Sequence, residues 1–139
     1  AEQDYQVCVI DPEGDYVNLN ALVTIGDQYH APGIAEVMAV LRDPYVHANA
    51  SLLGIPLADR PSYFAELAPH LRAMRMRTGR PHWLVVDEAH HLLPRHWGHT
   101  PQHLNESVFV TVHPDHLAPS VVASIDAVIA VGTSPDRSR

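Results

Sequence analysis

Short apolar runs rich in β-branched residues alternate along the chain with segments whose apolar positions recur every three or four residues. The runs predict six strands: Gln6 to Ile10, Leu22 to Ile25, Ala48 to Leu53, Trp83 to Val86, Ser107 to Val112 and Ala127 to Val131. Trp83-Leu84-Val85-Val86 and Val128-Ile129-Ala130-Val131 are apolar at every position, as strands covered on both faces in the middle of a sheet should be. Between the strands, Ile34, Val37, Met38 and Leu41 mark one face of a helix that Pro44 ends, and Phe64, Leu67, Leu71 and Met74 mark a longer helix. Asp59 is placed to cap the start of the longer helix, Pro61 falls in its first turn, and Gly79 suits its C-terminal end. Pro69 lacks the N–H that the helical ladder needs, so the helix should kink there or start late. A last short helix is predicted from Pro119, burying Val121, Val122 and Ile125, and the stretch from 93 to 106 reads as loop. With no repeat and no linker, this alternation predicts a single α/β domain over 1–139, its sheet mostly parallel with helices on both faces.

Length and composition narrow the function. A chain of 139 residues that is 46% hydrophobic can bury one real core but not two. It has no lysine, and its net charge of −7 argues against a surface that holds nucleic acid by bulk electrostatics. The single cysteine, Cys8, lies in an apolar run, where it reads as a small buried hydrophobe; it excludes an internal disulfide and fits a reducing, cytoplasmic setting. No apolar stretch approaches the ~20 residues that span a bilayer, so no membrane partner is expected. The polar start Ala1-Glu2-Gln3-Asp4 has no initiator Met and reads as the tail of a helix running into the first strand, as if the sequence began in mid-domain.

The strongest chemical signal is His82-Trp83-Leu84-Val85-Val86-Asp87-Glu88-Ala89-His90. A buried strand that ends in Asp-Glu sets the first carboxylate at the C-terminal edge of a parallel sheet, where α/β proteins bind ligands. An acid there can help hold Mg²⁺, and an adjacent Glu can orient and deprotonate a water. The plainer reading is that the two acids end a strand and favour the start of the next helix through its dipole. A second acidic cluster, Asp11-Pro12-Glu13-Gly14-Asp15-Tyr16, follows the first strand and reaches the same edge; alone it would be a solvated Pro/Gly turn.

Taken together, "VIDPEGDY" and "WLVVDEAHHLLP" resemble the HerA/FtsK superfamily of P-loop ATPases. There, a strand ending in Asp-Pro-x-Gly-Glu/Asp-Tyr precedes a Walker B strand ending in Asp-Glu-Ala-His. The likeness extends over nearly the whole chain, since "VFVTVHPDHL" is similar to that family's next strand, which ends in a polar sensor followed by Pro. The resemblance implies a RecA-like P-loop NTPase core. It makes Asp87 the Walker B acid, linked to Mg²⁺ through water, and Glu88 the catalytic glutamate. It also puts Asp11, Glu13 and Asp15 on the cofactor-binding side, and Thr111 with His113 where the γ-phosphate sensor stands. The family's sensor is commonly Gln after Thr; here Val112 and then His113 follow Thr111.

The Walker A loop has no counterpart, because no two glycines have its spacing and no lysine exists to reach the β- and γ-phosphates. In the family that loop lies just before the point where this sequence starts. The resemblance therefore implies that ATP and Mg²⁺ serve the intact protein, that this chain alone binds neither tightly and is inactive, and that its first partner is the rest of its own polypeptide. A sheet without its first strand would leave unpaired edges, which favour a homo-oligomer.

Histidine offers a competing chemistry. Eight of the eleven histidines fall between residues 82 and 116. His99 with His103 and His113 with His116 have metal-ligand spacings, but Pro101 and Pro114 keep both pairs off a regular helix, and no HExxH occurs. A solvated His-rich loop is the expectation. Arg60, Arg75, Arg77 and Arg95 are candidates for a finger acting on a neighbour's nucleotide. The alternatives are a non-catalytic binding or regulatory module, a DEAH-type helicase core without evident basic tracking motifs, and a metal-dependent hydrolase using Asp11, Asp87 and nearby His.

Overall fold

The structure is a computed structural model that describes residues 5–98, 100–101 and 104–132. Five strands, β1 (Val7–Asp11), β2 (Leu22–Ile25), β3 (His47–Ser51), β4 (Trp83–Val86) and β5 (Ser107–Phe109), form one sheet in the order β2-β3-β1-β4-β5. Every pairing is parallel. The helices are α1 (Ile34–Leu41), α2 (Arg60–Thr78), α3 (Ala89–Leu92) and α4 (Pro119–Ala123). No helix among the described residues is long and apolar enough to cross a membrane.

Register decides which strand residues meet the helices. Cys8 lies opposite Ala48 and Leu84, and Ile10 opposite Ala50 and Val86, so these side chains share one face. That face joins the buried apolar residues of all four helices, among them Val37, Leu41, Phe64, Leu67, Leu71, Leu92 and Val121, in a single core. Val9, Asn49 and Val85 point the other way and are not part of it. Helical cover on both faces, expected from the all-apolar runs, is thus not what the described residues form: the buried helix residues gather on one face.

Other expectations are corrected as well. The run from Ala127 to Val131 is not a strand: Val128, Ile129 and Val131 are 66%, 92% and 90% exposed, and no described strand lies beside them. Backbone amides need a ladder partner, and an apolar run without one has no reason to form a strand. Strand β5 stops at Phe109, although Val110 still donates to the Val86 carbonyl at 2.9 Å. Helix α2 runs unbroken through Pro69 for 19 residues, because burial of Phe64, Leu67, Leu71 and Met74 on either side outweighs one lost hydrogen bond. Asp59 and Gly79 do flank α2, and Gly79 adopts the left-handed φ of 74° that ends helices, but Asp59 makes no side-chain cap bond. In α4 only Val121 is buried; Val122 is 47% exposed, since five residues give barely more than one turn of contact.

One buried polar residue ties three elements together. Gln6, just before β1, directs Nε2 to the carbonyls of Leu41, Asp43 and Val46 at 2.9, 3.0 and 2.9 Å, and its Oε1 accepts from Arg80 Nη1 at 3.3 Å. The Leu41 carbonyl, which ends α1 without a partner in the helix, is met by this amide and by Arg80 Nη1 at 3.1 Å, and the carbonyls of Asp43 and Val46 lie in the connection that follows.

The strand order also sets where a ligand would sit. From β1 the chain moves outward to β2, returns to β3 beside β1, then crosses to β4 on the other side and continues outward to β5. The direction reverses around β1 and β4, and the crevice beyond the C-terminal ends of strands at such a switch is where open α/β sheets bind ligands.

Candidate functional site

Both acidic motifs lie at that switch. Asp11 is the last residue of β1, and Asp87 follows β4, its N–H donating to the Ile10 carbonyl at 3.1 Å. The Asp11 carboxylate is buried and occupied: Oδ1 accepts from the Asp15 N–H at 2.9 Å, and Oδ2 from the Tyr16 N–H at 3.0 Å and Asn49 Nδ2 at 3.3 Å. Gly14, at φ +76°, lets the loop turn back tightly enough for these bonds. Asp11 therefore shapes the loop, which leaves Glu13 and Asp15 exposed at its rim. Glu13 Oε1 lies 3.8 Å from Arg60 Nη1 and 3.8 Å from His91 Nδ1.

Asp87 is 6% exposed. Burial pushes its carboxyl above the usual range; the Glu88 N–H partly opposes this, and the charges of Glu88, Asp15 and Asp11 add to it. Burial, then the charges of Asp87, Asp11 and Asp15, holds the Tyr16 phenol above its ordinary value, so Tyr16 faces the cluster. Two strand ends thus converge several carboxylates on one spot, an arrangement that a cation or a proton relieves.

Glu88 has φ 47° and ψ 49°, the left-handed region that a residue with a Cβ enters at a cost. It precedes α3 but makes no side-chain cap bond, so capping does not explain this acid. Its Oε2 lies 3.4 Å from His90 Nε2, while the other ring nitrogen of His90 is 2.8 Å from Thr111 Oγ1. That hydroxyl oxygen also accepts the His113 N–H at 3.0 Å. Burial, then the neighbouring His91, holds His90 below its usual pKa, although Glu88 acts in the opposite direction. Replacing Glu88 by Gly should raise stability by about 1 kcal/mol in urea titration, because the left-handed backbone then carries no Cβ penalty. A loss of stability instead would mean that the Glu88 side chain makes contacts worth more than the strain.

The histidines cluster, contrary to expectation. The rings of His90 and His91 are 4.3 Å apart, those of His90 and His113 5.1 Å, and His113 stacks on His116 at 4.7 Å with an angle of 16°. Pro114 does not separate the last pair; it opens a 3₁₀ turn, Pro114–His116, in which positions three apart eclipse. His99 and His103 lie outside the described residues.

Of the arginines, Arg60 is buried with Nε on the Ile55 carbonyl at 3.0 Å, Arg75 bonds the Pro81 and Asn105 carbonyls, and Arg95 bonds the Asp115 carbonyl at 3.1 Å. These three hold loops, whereas Arg77 is exposed in the last turn of α2. An open depression of about 430 Å³, lined by Pro94, Arg95, His96, Trp97 and His116, does not include the acids. The acids instead sit on the rim of the sheet.

Sequence reasoning singled out Asp87, Glu88 and the Asp11 loop, and the structure brings them together; Thr111 joins them through His90. It missed His90 and His91, although only Ala89 separates them from the acids, and it missed Asn49, whose amide between Ala48 and Ala50 in a buried strand was the available signal. No known protein family, curated protein or solved structure matches the chain.

Proposed function

We propose that residues 1–139 form the Mg²⁺-holding and water-activating part of an ATP-hydrolysing α/β core of HerA/FtsK type, which is inactive until a phosphate-binding loop from the same polypeptide completes it. One observation carries this reading: Asp87 and Glu88 meet the Asp11 loop at the C-terminal ends of adjacent parallel strands, at the point where the chain reverses direction. The oxygen donors suit a hard cation, since the Asp87 carboxylate is buried among other acids and has no cationic side chain paired with it among the described residues. Bound there, Mg²⁺ would neutralise charge on the nucleotide's phosphates.

The chain's own residues have separable tasks. Asp87 would hold the cation, Asp11 fixes the loop that presents Asp15, and Glu88 would take a proton from the attacking water. Thr111 and His113 stand beyond β5, next to Glu88 through His90, on the side where a terminal phosphate would be sensed. The strain at Glu88 supports an active rather than a vestigial site, because an acid with no cap bond has no structural reason to keep a left-handed backbone.

In the polypeptide that carries the phosphate-binding loop, Asp87→Asn should weaken Mg²⁺-dependent ATP binding by about 10-fold or more and leave Mg²⁺-free binding unchanged. Calorimetry with and without Mg²⁺ measures both. Equal Mg²⁺ dependence in the variant and the native protein overturns the assignment.

A further inference from the structure

At the start of α3 three unusual features coincide: an acid held in a strained backbone, an imidazole fixed so that it faces that acid, and a second imidazole with a buried, unpartnered nitrogen. We propose that Glu88, His90 and His91 form a binding site for one divalent transition-metal ion of the Zn²⁺ class.

One ligand atom from each of the three residues lies within 4.8 Å of the others. The separation of Glu88 Oε2 and His90 Nε2 is 3.4 Å. Ligands at the usual ~2.0–2.1 Å from a tetrahedral metal stand about 3.4 Å apart, so this pair already spans one edge of such a site. Thr111 Oγ1 engages His90 Nδ1 and leaves Nε2 toward Glu88, which is how the outer partner of a metal-binding imidazole sets its orientation. His91 Nδ1 is shut off from water without a hydrogen bond, with Glu13 Oε1 at 3.8 Å, too far for a direct bond.

Two imidazoles and a carboxylate are the donors that Zn²⁺, Co²⁺ and Fe²⁺ take, whereas Mg²⁺ takes oxygen. The surrounding acids, Glu13 and Asp87, add attraction for a cation. A second group, His113, Asp115 and His116, also converges, but all three residues are exposed, and among the described residues no hydroxyl orients their rings as Thr111 orients His90. The group at α3 is the better prepared. On the ATP-hydrolysis reading the same Glu88 carboxylate serves the attacking water, so a bound transition metal would switch hydrolysis off. Metal uptake by the chain without nucleotide tests the site apart from that reading.

The experiment is titration of the 139-residue chain with Co²⁺, followed by visible absorption, and with Zn²⁺, followed by calorimetry, in millimolar Mg²⁺. One ion per chain should bind, with the intense visible bands of a four- or five-coordinate Co²⁺. His90→Ala and His91→Ala should each weaken binding by about 10²-fold, as expected for loss of a ligand, and Thr111→Val by about 10-fold, as expected for loss of its orienting partner. Thermal melts check that each variant folds; His90→Gln and His91→Gln, which keep a polar side chain of similar reach, replace any alanine variant that does not. Failure to take up one ion per chain overturns the proposal. So does binding that survives these changes but is lost in His113→Ala with His116→Ala.

Discussion

On the ATP-hydrolysis reading, Glu88→Gln in a polypeptide that supplies the phosphate-binding loop should lower ATP turnover by about 10²-fold or more while nucleotide and Mg²⁺ binding stay within about two-fold of the native values, the scale expected for losing a general base. The amide has the shape of the carboxylate, so the left-handed turn into α3 and the approach to His90 are both retained. What it loses is the capacity to take a proton from water. The loss should therefore fall on kcat and not on affinity, the opposite of the Asp87→Asn phenotype, where the cation's environment changes. Steady-state kinetics and calorimetry on the two variants separate the roles. Undiminished turnover in Glu88→Gln would remove Glu88 from the chemistry, and loss of binding in both variants alike would make the acids structural.

Gln6→Ala should destabilise the fold by about 3 kcal/mol, a drop of roughly 10 °C in melting temperature for a chain of this size. Its side-chain amide serves carbonyls of Leu41, Asp43 and Val46 and accepts from Arg80, and Gln6 itself is fully buried. Truncation takes the side-chain donor from the Val46 carbonyl, leaves Leu41 to Arg80 Nη1 and Asp43 to the Val46 N–H, and adds a cavity of several atoms between α1 and the sheet. Gln6→Glu should cost more at neutral pH, because a carboxylate would then face carbonyl oxygens in place of an N–H. Differential scanning calorimetry distinguishes these outcomes, and a shift under about 3 °C for Gln6→Ala would show that water replaces the amide at little cost.

The parts of the fold that local pattern controls were legible. Five of the six predicted runs became strands, α1 ended before Pro44, and Gly79 closed α2. What failed depends on neighbours that a window of sequence does not contain. Val128 to Val131 has the composition of a central strand, yet a strand needs a ladder partner on at least one side, and none of the described strands lies there. The same applies to helical cover on the second face, which composition suggests but only packing decides. At the candidate site, the placement of Asp87 and Glu88 at the edge of the sheet was legible because it follows from a buried apolar run that ends in acids. His90 was not, since what matters is its orientation, and that is set by Thr111, 21 residues further along the chain. The stacking of His113 on His116 was missed for another reason: proline excludes an α-helix but begins a 3₁₀ turn well.

The central place of β1 also governs how the protein is made. Of the described strands the earliest in the chain, β1, is flanked by β3 and β4, and its register joins Cys8 to Ala48 and Val7 to Trp83. No strand pair in the sheet is a hairpin. During translation at about 5–20 residues per second, Val7–Asp11 therefore waits ~4–15 s before the β4 side of its ladder exists. Through that interval the apolar strand depends on whatever shields the nascent chain. In refolding from denaturant, closing these long loops rather than forming α2 sets the pace, which places the domain among the slower folders for its length.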